Sequence, residues 1–158
     1  MSGPPEIAIS AAIGAANDGS CGKSRRGVIA YRKLPFPHII ARGHNAPPPG
    51  FACDGSDACK AACAKVCIHA EQAVLSQEFF GPRFSTPAAL VHVKTVAGLL
   101  VPSGGPSCWQ CSRIIVSDTR IDGIWLFHVG GWRLYEPEEF HRMTLIECGL
   151  PVIEVPRR

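Results

Sequence analysis

Apolar and polar positions along the chain alternate between two periods, and the switches between them outline the elements. Residues 6–17 (EIAISAAIGAAN) are Ala-rich with Ile at 7, 9 and 13, and Asn17-Asp18-Gly19 supplies a stop, which predicts a helix. Residues 27–33 (GVIAYRK) and 38–43 (HIIARG) read as strands. Pro35 and Pro37 interrupt the connection, so the two predict a hairpin. The segment 45–58 (NAPPPGFACDGSDA) is a loop by its Pro, Gly and Asp content. From 57 to 80 (DACKAACAKVCIHAEQAVLSQEFF) the pattern predicts one helix. A strand follows at 89–96 (ALVHVKTV), then a loop (PSGGPS), a short helix over 108–117 and a strand at 123–129 (GIWLFHV). GGWRLYEP reads as a turn. Pro137 with Glu138 and Glu139 opens a helix over 137–148, Gly149 ends it, and 151–155 (PVIEV) reads as the last strand.

The order α-β-β-α-β-α-β-α-β predicts an α/β fold over residues 1–158: one domain with a five-stranded mixed sheet and helices on its faces. A helix joins the last two strands, so they are expected to run parallel. Apolar residues make up 46% and charged residues 18% of the 158, a globular composition. The apolar runs stop well short of a membrane-spanning length. No basic segment followed by an apolar one marks a secretory leader at the N-terminus, and the expected location is cytoplasmic.

The net charge of +3 suits a phosphorylated small molecule better than it suits a dedicated nucleic-acid binder. Lys23, Arg25 and Arg26 form one basic cluster. It reads either as a contact for phosphate or as a solvated turn. Eight cysteines are many for a chain with no secretory leader, and in a reducing compartment metal binding or catalysis is the usual reason.

The chemistry concentrates in His69-Ala70-Glu71 and Cys108-Trp109-Gln110-Cys111. Two cysteines three apart at a helix start lie about one turn apart on one face and can chelate zinc as thiolates. One imidazole makes a third ligand. Three protein ligands leave the open position of a catalytic zinc, whereas a structural site closes with four. Such a zinc brings the pKa of bound water toward neutrality. Glu71, two residues after the histidine, is placed to move protons rather than to bind metal. The rival readings are a closed zinc site with Cys67 as fourth ligand, which would make the chain a zinc-stabilised interaction module, and a Cys108–Cys111 disulfide.

H-A-E followed by C-x-x-C resembles the cytidine/deoxycytidylate deaminase superfamily, whose zinc signature and mechanism are general knowledge for such enzymes. SCGKSRRGVIA, ARGHNAPPPG, CIHAEQAVL, GPSCWQCSRII and GIWLFHV…ECGLPVIEV are similar in turn to its first strand, second strand and substrate loop, two zinc helices and final strands. The resemblance implies a three-layer cytidine-deaminase-like fold and a Zn²⁺ on His69, Cys108 and Cys111, with Glu71 as the proton shuttle. The implied reaction is hydrolysis of a cytosine-type base, dCMP-like, to its uracil counterpart with release of ammonia. Parallel final strands would favour the deoxycytidylate and nucleic-acid-editing branch over free-cytidine deaminases, whose last strands are antiparallel. The family usually has Pro directly before the first cysteine; here Ser107 stands between Pro106 and Cys108.

The resemblance further puts Asn45, Ala70, Ser107 and Trp109 at the substrate. Phe51, His44, Trp109 and Trp132 are candidates to stack on the base, and Tyr135 to line the pocket mouth or pack. Some deoxycytidylate deaminases carry a second, structural zinc, for which Cys21, Cys53, Cys59 and Cys63 are the candidates here. The alternative for these four is burial as small apolar residues. Cys148 reads as a core residue. The expected partner is a nucleoside or nucleotide, in a homo-oligomer. Cytosine in single-stranded DNA or RNA and a purine base are the alternative substrates.

Overall fold

A computed structural model describes residues 3–33, 35–77, 87–106 and 108–152. The order is α1 (Glu6–Asp18), β1 (Arg25–Arg32), β2 (His38–His44), α2 (Asp57–Val66), α3 (Ala70–Leu75), β3 (Ala88–Val96), β4 (Leu99–Val101), α4 (Trp109–Ser117), β5 (Ile121–His128), β6 (Gly131–Tyr135) and α5 (Pro137–Glu147). The strands form one mixed sheet in the order β2-β1-β3-β5-β6, with β4 added to the end of β3. β3 and β5 are parallel, joined through α4, and the other pairings are antiparallel.

β1 and β3 lie in the middle of the sheet and are buried on both faces, so they read as apolar runs more than as alternations. The two-residue period still sorts their side chains. Ile29, Tyr31, Ala89, Val91 and Val93 meet α1 on one face. Val28, Ala30 and Leu90 turn to the other, where Ala70 and Val74 of α3, Ile115 of α4 and Phe140 of α5 cover them. The result is three layers, helix on sheet on helix.

Small residues set how closely the layers approach. α1 offers Ala8, Ala12 and Ala16, four apart and fully buried. It lies so near β1 that a Cβ on Gly27 would stand 2.2 Å from the Ala12 carbonyl oxygen. Gly43 of β2 plays the same part beneath α3, where a Cβ would come 2.8 Å from that of Ala73.

The structure changes the sequence expectation in three places. The single helix expected over 57–80 is two: Cys67 is extended, and Ile68 exchanges two hydrogen bonds with Ala46 (3.2 and 2.9 Å), so the helix stops and restarts at Ala70. Residues 78–86 lie outside the described residues. The expected turn GGWRLYEP is strand β6, which doubles back on β5 through Val129-Gly130, with Gly131 at φ +106 on the positive side that favours glycine. The expected parallel pair at the end of the sheet is therefore corrected. Over Ile124–Leu126 both edges of β5 are occupied, by β3 and by antiparallel β6. Of the strand expected at 151–155, Pro151 and Val152 are in no strand and 153–155 lie outside the described residues.

Candidate metal centre and active-site cleft

α3 and α4 bring the two halves of the motif together at their first turns. The Ala46–Ile68 bridge fixes the chain just before His69, which stands at the N-cap of α3 and donates its backbone N–H to Gln72 Oε1 at 2.9 Å. Cys108 is the N-cap of α4 and accepts from the Cys111 backbone N–H at 3.5 Å. The three donor atoms form a small triangle: His69 Nδ1 to Cys108 Sγ is 3.1 Å, His69 Nδ1 to Cys111 Sγ 3.3 Å, and sulfur to sulfur 3.3 Å.

That donor set fits zinc. Bonds of about 2.0–2.3 Å in a tetrahedral site hold ligands about 3.5–3.8 Å apart, so the triangle has to open only slightly. The charges are also prepared. The neighbouring Cys111 sulfur and then His69 lower the Cys108 thiol to about 4 against the opposing effect of burial, so it is a thiolate at neutral pH. Cys108 in turn raises the basicity of His69. Among the described residues, no further His, Cys, Asp or Glu joins the triangle. Cys67, the candidate fourth ligand, lies against Cys63 instead.

Glu71 is in the first turn of α3, only 4% exposed. Its Oε1 is 3.4 Å from Nδ1 of His92, a buried residue of β3. On the far side of that ring, Arg26 Nη1 lies 3.4 Å from Nε2 and donates to the Ser103 carbonyl oxygen at 3.4 Å. Burial lowers the basicity of His92, against the opposing pull of Glu71. These groups line a cleft of about 510 Å³ with His69, Cys108, Ala70 and Asn45. Lys23 and Lys94 add positive charge to its wall, and Glu147 adds a carboxylate from the end of α5.

The residues assigned to the substrate from the sequence separate here. Ala70 and Asn45 line the cleft. Asn45 is also a backbone clamp: Oδ1 accepts from Arg26 N–H and Nδ2 donates to the Ser24 carbonyl, both at 2.8 Å. Trp109 is 39% exposed, with the Arg113 guanidinium 5.2 Å from its ring centroid, and does not line the cleft. Ser107 lies outside the described residues. Phe51 borders a separate cavity beside the cysteines of α2. Trp132 packs with Phe127 and on the α1 side of the sheet, and His44 is not part of the cleft wall. Tyr135 is in the core, its hydroxyl 2.9 Å from His128 Nε2. Of the basic cluster, Lys23 and Arg26 reach the cleft, while Arg25 donates to the Asn17 carbonyl.

His92, Lys94, Glu147 and Cys148 are cleft residues that sequence reasoning passed over or assigned elsewhere. For His92 there was a signal, a histidine inside an apolar run that reads as a central strand. Cys148 borders the cleft and is exposed, not core.

All eight cysteines carry free thiols. Those of the N-terminal half gather in a chain of contacts. Cys53 and Cys59 sulfurs are 3.3 Å apart, Cys53 also neighbours Cys21, and Cys63 neighbours Cys21 and Cys67. The Gly22 backbone N–H, donating to Cys53 Sγ at 3.1 Å, is the main influence lowering that thiol, while burial pushes Cys63 up to about 12. Cys21, Cys53, Cys59 and Cys63 are thus neighbours, linked pairwise and not converging on one point as His69, Cys108 and Cys111 do.

No family model and no curated protein matches the chain. Solved structures do. The apo dCMP deaminase of the cyanophage S-TIM5 is similar at 20% identity over 77% of this chain and 82% of that one, with a TM-score of 0.52. The same enzyme in complex with dCMP and dUMP matches at 20% identity over 78% and 82%, with a TM-score of 0.54. The cytidine deaminase of Burkholderia pseudomallei matches at 15% identity over 87% and 95%, with a TM-score of 0.56. At such identities the likeness concerns the fold, and it agrees with the strand order and layers described above: the chain has the fold of the cytidine/deoxycytidylate deaminase superfamily.

Proposed function

We propose that this protein is a zinc-dependent hydrolytic deaminase acting on a cytosine-type base of a nucleoside or nucleotide. One observation carries the reading: the buried Glu71 shares one cleft with His69 and Cys108 of the His69–Cys108–Cys111 triangle, and Glu71 is in the first turn of the helix that His69 caps. Zinc, when bound, supplies Lewis-acid activation of water at neutral pH. The chain's own work falls to Glu71. It takes a proton from the attacking water and delivers it to the ring nitrogen, then takes the second proton from the newly added hydroxyl and gives it to the departing amine. Water oxygen bonds to the ring carbon that carried the amine, the C–N bond breaks, and ammonia leaves.

Lys23, Arg26 and Lys94 in the cleft wall support a substrate with a phosphate, and a dCMP deaminase of the same fold was crystallised with dCMP and dUMP. The antiparallel β5–β6 pair favours a second reading, an unphosphorylated cytidine, because antiparallel final strands are what the resemblance links to free-cytidine deaminases. An ammonia-release screen with cytidine, deoxycytidine, their monophosphates, guanine and a single-stranded oligonucleotide decides among these. Release from none of them by the zinc-loaded protein would refute the proposal.

A further inference from the structure

A histidine in the middle of a central strand has to be accounted for. His92 is 2% exposed, and its neighbours across the sheet are Val28 on β1 and Leu126 on β5. Burying an imidazole among aliphatic residues is costly unless polar groups meet it. Two do, each from a different element: the Glu71 carboxylate from α3 at 3.4 Å from Nδ1, and the Arg26 guanidinium from β1 at 3.4 Å from Nε2. Neither ring nitrogen is left facing hydrocarbon.

The chemistry of the two partners fixes the ring between them. A guanidinium has only donors, so Nε2 must accept. A ring that accepts at Nε2 carries its proton on Nδ1, and Nδ1 faces Oε1 of Glu71. The order of donation runs from Arg26 to His92 to Glu71. Both steps are long, at 3.4 Å, as is common at catalytic groups before substrate tightens them. Arg26 is itself tied down, by the Ser103 carbonyl and by the Asn45 side chain on its backbone N–H.

We infer that His92 is a positioning residue for Glu71, holding the carboxylate through its Nδ1–H while Arg26 fixes that tautomer. The inference rests on the proposed role of Glu71 as proton shuttle. A shuttle has to collect a proton at one place and release it at another, and a carboxylate free to swing would do neither at a set distance. With Oε1 held by His92, the carboxylate is oriented by a residue outside the metal triangle.

Two measurements test this on the full-length, zinc-loaded protein. The first is the ¹⁵N spectrum of histidine-labelled protein, with His92 assigned by its loss in His92→Asn. The expected result is a protonated Nδ1 and an unprotonated Nε2, with the preference lost in Arg26→Met; a protonated Nε2 in the parent protein overturns the inference. The second is steady-state kinetics of His92→Leu, His92→Asn and His92→Gln beside zinc content and Tm. Leu should lower kcat at least tenfold with KM within about twofold and zinc retained, a loss of about 1.4 kcal/mol in transition-state stabilisation. Asn, whose amide nitrogen overlays Nδ1, should restore most of kcat; Gln, whose nitrogen overlays Nε2, should not. Equal recovery by both, or an activity loss that merely tracks Tm, overturns it. If the parent protein releases no ammonia from any substrate, it is the deaminase reading that fails, and the ¹⁵N spectrum still decides the tautomer.

Discussion

Nδ1 of His69 and Sγ of Cys108 stand 3.1 Å apart although 39 positions separate them in the chain. Two helix starts meet there, and Cys111 completes the triangle. Replacing His69, Cys108 or Cys111 by Ala should each remove one equivalent of zinc relative to the parent protein and abolish turnover. Elemental analysis of protein purified in the presence of zinc checks the stoichiometry. A strong chelator should remove activity, and added zinc should return it.

Glu71 should behave differently. Glu71→Gln keeps the size of the side chain and removes the base, so zinc content should equal that of the parent while kcat falls about 10²- to 10⁴-fold. Ammonia release measured beside the metal content separates the two effects. A Glu71→Gln protein with parental turnover would end the proposed mechanism.

The cleft wall predicts which substrates feel its charge. Lys23→Gln and Lys94→Gln should each raise KM for a cytidine monophosphate by up to about tenfold, or 1.4 kcal/mol, and leave KM for the matching nucleoside nearly unchanged. The difference should shrink as salt is added. Equal effects on both substrates would point to the nucleoside reading.

Asp118 and Arg120 make the tightest ion pair described, with Arg120 Nε 2.8 Å from Oδ1 and Nη2 2.7 Å from Oδ2, at the turn that launches β5. Arg120 holds the Asp118 carboxyl below its ordinary value of 3.8. A carboxylate depressed in the fold stabilises above its unfolded pKa and loses that contribution as pH falls through the folded one. Asp118→Asn should therefore cost about 1 kcal/mol near neutral pH, and thermal melts should show the gap closing below about pH 4.

Gly27 cannot take a side chain without moving α1. The added Cβ of Gly27→Ala would meet the Ala12 carbonyl oxygen at 2.2 Å and the Ala16 nitrogen at 2.5 Å, both of them backbone atoms. A loss of about 1–3 kcal/mol is expected in denaturant unfolding. Parental stability would mean that the helix lies farther from the strand than described.

What the sequence disclosed and what it hid follow from where the determining forces lie. The grouping of His69, Cys108 and Cys111 was legible because C-x-x-C at a helix start sets two thiols about one turn apart on one face. The strands β1, β2, β3 and β5 were legible because burial writes its period into the side chains. The break between α2 and α3 was not: Cys67-Ile68-His69 contains neither Gly nor Pro, and a distant partner, Ala46, ends the helix. β6 was hidden by Gly130-Gly131: the turn ends at Gly130, and Gly131 already begins the returning strand. The parallel final pair failed for the same reason. Trp109 sits between Cys108 and Cys111, but the start of α4 points it outward.

The two hydrogen bonds between Ala46 and Ile68 have a consequence for how this chain can vary. They pin together the two ends of an excursion that carries the Pro-rich stretch, Phe51, four of the cysteines and all of α2. With its ends stapled, that excursion can lengthen, shorten or bind something of its own at little loop-closure cost. His69, one residue beyond the staple, keeps its place. The position of His69 is thus set independently of what residues 47–66 become.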